Sequence, residues 1–146
     1  MNREAIYAAI FALAPAGFVT TGRKLVLWDD VKANEMPALF QQQHDETVKG
    51  NGNLPTTITG GVTWWLYVHE DTSQSLVPSQ ILNPLLDEIQ AAFAPKPGPW
   101  PAGAQTLGGL VSQCYIDGTI ETDEGYLGEL SIARVPIHFV IGEPRS

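Results

Sequence analysis

The clearest pattern in the chain is an alternation. Ile58, Gly60, Val62, Trp64, Leu66 and Val68 interleave with Thr57, Thr59, Gly61, Thr63, Trp65, Tyr67 and His69, a period of two that predicts a β-strand. The first set marks a core face. The second carries Trp65 and Tyr67 among threonines, more apolar than a solvent face requires, and is expected to lie under a helix or against a partner. Near the N-terminus the period is helical. From Asn2 to Ala14, Ile6, Tyr7, Ile10, Phe11 and Leu13 share one sector, while Ala5, Ala8, Ala9 and Ala12 lie opposite. Pro15 and Gly17 end this helix. Its bulky sector is expected on the core, and its alanine sector permits close approach by a second surface, from the same subunit or a neighbour.

Further elements follow the same logic. Lys24 to Trp28 reads as a short extended stretch closed by Asp29-Asp30, and Ala38 to about Thr47 as another, introduced by Pro37. Folding about the Gly50 to Asn53 loop places residue 46 near 56. A second helix starts at Asn83-Pro84, or at Ser79 one turn earlier, with the stripe Leu85, Leu86, Ile89, Ala92 and Phe93. Asp87 and Glu88 suit its positive N-terminal end, and Pro95 stops it. Residues 95–104 are a proline-rich, extended connector. The last third predicts two long strands, about Gln105 to Thr122 and Gly128 to Ile141, joined by the acidic turn Asp123-Glu124-Gly125. Val135, Ile137, Phe139 and Ile141 form one face, with Leu110, Cys114 and Ile116 across from them, and Pro136 marks an edge or a bulge. The sum is a single α+β domain over residues 1–146: an antiparallel sheet of about four to five strands, two helices packed on it, and a long C-terminal hairpin.

Composition narrows what such a domain does. Eight Lys+Arg against sixteen Asp+Glu give a net charge of −8, which argues against gripping phosphate backbones. Only 16% of residues are charged, against a typical ~25%, so the surface is lightly charged. With 44% hydrophobic residues the chain can bury enough apolar area to fold. A single cysteine, Cys114, excludes an internal disulfide and any CxxC ligand set. No apolar run approaches the ~20 residues of a membrane span. The N-terminal apolar stretch is not expected to be a signal peptide, because Glu4 neutralises Arg3 and its bulky residues are sided.

The polar clusters do not assemble into chemistry. His44-Asp45-Glu46 and His69-Glu70-Asp71 are each a possible ligand set, but the predicted register separates them by about 11 residues, roughly 36 Å. Asp117 to Asp123 has oxygen donors at alternate positions like a calcium loop, yet its sixth position is Thr122 and its twelfth Gly128. No phosphate loop, GxSxG or HExxH occurs. Folding the final hairpin about residue 125 puts His138 opposite roughly 112, near Cys114. Neither residue has a neighbouring glycine or helix N-terminus to supply an oxyanion site, so a buried thiol and a satisfied histidine is the better account. No catalytic residue, cofactor or metal is expected, and the protein reads as one that works by contact and not as an enzyme.

The run Gln105-Thr-Leu-Gly-Gly-Leu-Val-Ser-Gln-Cys-Tyr-Ile-Asp-Gly118, continuing to Glu121, then Leu127-Gly-Glu and Ala133-Arg-Val-Pro-Ile137, resembles the tail terminator and related minor tail proteins of long-tailed bacteriophages and prophages. Upstream, Arg23-Lys-Leu, Met36-Pro-Ala-Leu-Phe40 and Ile81-Leu-Asn-Pro-Leu-Leu-Asp87 extend the likeness over most of the chain. These are packing and turn residues. The resemblance implies a small α+β subunit of a homohexameric ring at the head-proximal end of a tail tube, stopping tube polymerisation and meeting the head connector or stopper protein. It implies a virion protein assembled in the bacterial host cytoplasm, with no catalytic residues to transfer. A heterologous ring needs two different patches; Ala5, Ala8, Ala12, Trp65, Tyr67 and Trp100 are candidates for contact with a neighbour or the tube. Asp45, Glu46, Glu121, Asp123 and Glu124 are candidates for a lumen that repels passing DNA. Two alternatives stand beside this one: another neck component, such as a head-completion or stopper subunit, and a small α+β ligand-binding domain or enzyme with a pocket lined by Trp64, Trp65 or Tyr115.

Overall fold

The alternating segment builds the longest strand. The computed structural model describes residues 1–52, 54–69, 78–94, 105–123 and 130–142. In it β4 (Leu54–His69) pairs antiparallel with β7 (Leu130–Gly142) in one unbroken register from Thr57↔Gly142 to His69↔Leu130. Along the other side of β4, β2 (Ala38–Gln43) and β3 (Thr47–Asn51) lie end to end, and along the outer side of β7 so do β5 (Gln113–Ile116) and β6 (Glu121–Asp123). A short β1 (Thr20–Gly22) adds parallel to β2. The class is α+β with a mostly antiparallel sheet and a C-terminal hairpin, and among the described residues the sheet has seven strands, more than the alternation alone revealed.

Two helices cover one face. α1 (Arg3–Phe11) is capped by the Asn2 side chain, which accepts from the Ala5 amide, and buries Ile6, Tyr7 and Ile10. α2 (Pro78–Phe93) takes the earlier of the two expected starts, beside Ser79; the Asn83-Pro84 start is corrected, because Pro84 sits inside the helix. An interior proline costs about 3 kcal/mol through a lost hydrogen bond and a steric clash. Burial of Leu82, Leu85, Ile89 and Phe93 against the sheet offsets it. The helix-side core joins these to Leu39, Val62, Trp64, Leu66, Ala133, Val135, Ile137 and Phe139. Tyr7 meets Phe139 edge-on at 5.6 Å, and Trp64 meets Phe93 at 5.5 Å. Gln41, 2% exposed, joins three elements: its Nε2 donates to the Tyr7 carbonyl (3.1 Å) and its Oε1 accepts from Trp64 Nε1 (2.9 Å).

Four expectations about strands are corrected. Lys24 to Trp28 is not a strand. Thr20–Gly22 takes the edge beside β2, and the following residues cross the second face of the sheet through 3-10 turns at Trp28–Asp30 and Ala33–Glu35. The β3–β4 turn is tighter and later than predicted, with Asn51 paired to Leu54 and Gly52 at φ +63°, so Thr47 pairs with Thr59 and Gln43 with Val62. The strand expected from Gln105 to Thr122 is split. Left-handed backbone at Leu107, Gly108 and Gly109 makes a turn that exposes Leu110, and Gly118 at φ +116° interrupts the ladder between β5 and β6. Pro136 lies opposite that interruption, and its carbonyl accepts from the Asp117 amide. A strand residue's nitrogen and carbonyl face the same neighbour, so the missing donor falls where no ladder bond is required, which is the bulge reading of Pro136. Finally, β7 pairs Tyr115 with His138 and Cys114 with Phe139, a register three residues from the expected pairing of His138 with about 112. The connector at 95–104 lies outside the described residues.

Candidate interaction surface

Alternation fixes what the second face of the sheet displays. Its lower part is covered by the chain itself: Val31, Ala38, Phe40, Tyr67, Leu130 and Ile132 form a second apolar cluster, with Val26, Met36 and Trp65 packed on it. Tyr67, expected to be available to a neighbour, is 1% exposed, and its hydroxyl donates to the Val26 carbonyl (2.7 Å). The correction is physical: a dozen residues of the same chain supply the cover that was assigned to a helix or partner.

Among the described residues, none lies over the rest of this face. Across it run Gln42, Thr63 and Pro136 in one row, Trp65 and Arg134 in the next, and His138 with Tyr115 toward the β5 edge, all half-buried. Trp65 Nε1 donates to Gln42 Oε1 (2.9 Å), and the Arg134 guanidinium lies 5.3 Å from the Trp65 ring centroid. The same guanidinium pairs with Glu121 (2.5 Å) and Asp123 (3.4 Å) from β6. Tyr115 and His138 stack at 6.3 Å, and His44 hydrogen-bonds the Thr63 hydroxyl. The platform is therefore aromatic and cross-linked by side-chain bonds, with Arg134 neutralised by two carboxylates. Gly61 sits within it because a Cβ there would come within 2.3 Å of the Ile137 carbonyl.

The remaining sequence candidates scatter. On α1, Ala8 and Ala12 are exposed and Ala5 half-buried. Glu46 lies by the helix layer, where it accepts from Arg3 (2.8 Å) and from the Tyr7 hydroxyl (2.8 Å). Burial alone would raise its pKa, but the Arg3 and Tyr7 hydrogen bonds and the Arg3 charge hold the carboxyl below its usual value; burial and that carboxylate push the Tyr7 hydroxyl well up. Asp45 is exposed nearby, while Glu121 and Asp123 sit at the β6 edge with Arg134. The four described acidic candidates thus form two separate groups, and three of them are paired to arginines. Trp100 and Glu124 lie outside the described residues.

The enzyme-like pairings are also placed. Cys114 points into the helix-side core, where burial pushes its thiol up to about 12, whereas its neighbour in the chain, Tyr115, stacks on His138 across the opposite face. Cys114 and His138 therefore face away from each other. Trp64 lies on the opposite side of the sheet from Trp65 and Tyr115, so the three line no common pocket. His44 aligns with Gly61 and His69 ends β4, about 8 strand residues or ~26 Å apart. Among the described residues no three His, Cys, Asp or Glu side chains gather as a metal set, and no helix is long and apolar enough to cross a membrane.

Arg134 and Gln42 were missed as platform residues. The signal for Arg134 was present: Arg134, Pro136 and His138 break the apolar run of β7 at every second position. No protein-family model matches the chain, and no curated protein is significantly similar to it.

Proposed function

We propose that this chain is a structural subunit of a phage tail, a tail terminator that forms a ring at the head-proximal end of the tail tube, halts tube polymerisation and meets the head connector. The observation that carries the reading is the half-buried platform of Trp65, Arg134, Tyr115 and His138, over which no other described residue lies, on a sheet whose other face is packed with helices. Aromatic residues and arginine are the types that dominate protein–protein contacts. A ring joins two unlike patches of each subunit. The platform supplies one, and the exposed Ala8 and Ala12 edge of α1, on the opposite layer, supplies a surface of different chemistry. The sequence resemblance supports the same reading. Passage of DNA would then rely on the net charge of −8 and not on one acidic patch.

Light scattering on size-separated protein, alone and after mixing with tail tubes, tests this. A six-fold mass, or a monomer that becomes six-fold only on tubes, is expected, and Trp65→Ala should impair that assembly more than folding. A monomer or dimer that ignores tubes overturns the proposal. A protein that joins completed tails without limiting their length would be another neck component.

A further inference from the structure

The segment that covers the lower second face leaves an opening beside itself. Between the 3-10 turns and the ends of β4 and β7 lies a wide-open cleft of about 400 Å³, lined by the apolar Val31, Ala33, Met36 and Leu130 and by His69. That is within the range of pockets that hold small molecules and has room for two side chains. Trp28 and Asp29 form its rim. Trp28 is 42% exposed and the adjoining Leu27 59%, unusual for large apolar side chains. Asp29 and Asp30 are exposed carboxylates with no ion pair among the described residues. The Asp29 charge reaches the cluster beneath: after burial, it is the second cause pushing the Tyr67 hydroxyl up to about 12.

We infer that this cleft docks an arginine-bearing apolar segment of a partner protein. The apolar lining takes an apolar side chain, the exposed indole of Trp28 stacks a guanidinium, and the Asp29 carboxylate accepts its paired N–H groups. Arginine fits better than lysine because its planar fork meets ring and carboxylate together. Charge complementarity selects the same partner: the exposed Asp29 carboxylate on the rim, on a chain of net charge −8, favours a basic segment. The inference goes beyond the tail reading and uses a different part of the surface from the platform.

Acetyl-Leu-Arg-Leu-amide, titrated at millimolar concentration into the full-length ¹⁵N-labelled protein, tests it, with acetyl-Leu-Gln-Leu-amide as control. The expected result is a saturable shift of the Trp28 indole N–H, with the glutamine peptide weaker by about five-fold. Asp29→Asn, a surface change that leaves the fold's spectrum intact, should weaken the arginine peptide by a similar factor. Trp28→Ala should abolish the response. Equal shifts with both peptides, shifts confined to other residues, or no saturable shift overturn the inference. A Trp28 shift that tracks protein concentration without peptide would assign the cleft to a second copy and overturn it too.

Discussion

Trp64 and Trp65 offer a controlled comparison within two adjacent residues. Each indole N–H donates to a glutamine Oε1 at 2.9 Å, Trp64 to Gln41 and Trp65 to Gln42. They differ in burial: Trp64 is 0% and Gln41 2% exposed, whereas Trp65 and Gln42 are half-buried on the platform. Replacing each tryptophan by phenylalanine removes the N–H and keeps most of the ring. In Trp64→Phe the Gln41 Oε1 loses its donor where water cannot reach it, at a cost of about 1–3 kcal/mol. In Trp65→Phe solvent replaces the lost donor, so the change is at most the net value of one bond, ~0.5–1.5 kcal/mol. Equilibrium unfolding in urea, followed by far-ultraviolet circular dichroism, reads the difference. With a slope of about 2 kcal/mol/M, Trp64→Phe should lower the midpoint by ~0.5–1.5 M and Trp65→Phe by about half as much, at most ~0.25–0.75 M. Full truncation of Trp64 to alanine adds a cavity, ~3–5 kcal/mol, a large part of a domain's total stability. Equal midpoints for the two phenylalanine variants, or a larger loss at Trp65, would refute the assignment of the two faces.

Other consequences are as concrete. Gly61→Ala should prevent normal folding, because the new Cβ meets the Ile137 backbone at 2.3 Å, while Gly50→Ala, with nothing within 4 Å, should melt like the parent. The Glu46 carboxyl has a lowered pKa in the folded state, so its contribution is complete above its ordinary 4.5 and is lost as pH falls through the lower folded value. Thermal melts from neutral pH to about pH 3 should therefore show the parent's advantage over Glu46→Gln shrinking below about pH 4.5; a constant or growing advantage contradicts the Arg3–Glu46–Tyr7 arrangement. Cys114, buried in the core with its thiol raised to about 12, should alkylate only as the protein opens, so its labelling rate should rise in step with added denaturant. Fast labelling of the native protein would contradict its place in the core.

Where a residue's face was decided by alternation, the chain was readable. Val62, Trp64, Leu66 and Val68 all point to the helices, as do Val135, Ile137 and Phe139. The polar run Gln41-Gln42-Gln43 was not, because glutamine carries no face preference, and yet Gln41 is a buried link between α1 and two strands while Gln43 is exposed. Pro84 left the start of α2 open between Ser79 and Asn83; tertiary burial of Leu82 and Leu85 on either side of the proline decides for the earlier one. Lys24 to Trp28 has strand composition but no strand partner, since β1 occupies the edge first. For the platform, the alternation identified Trp65 as unusual for a solvent face. Its link to Arg134 depends on the register of β4 with β7, a long-range pairing that no local window encodes.

The central claim concerns tubes. Tail-tube protein polymerised in the presence of increasing amounts of this chain, with lengths measured by negative-stain electron microscopy, tests it most directly. The account predicts that growth stops, that each stopped tube carries a ring at one end, and that Trp65→Ala weakens the effect while the variant remains folded. Tubes that lengthen without limit at every ratio, with bare ends, would contradict it.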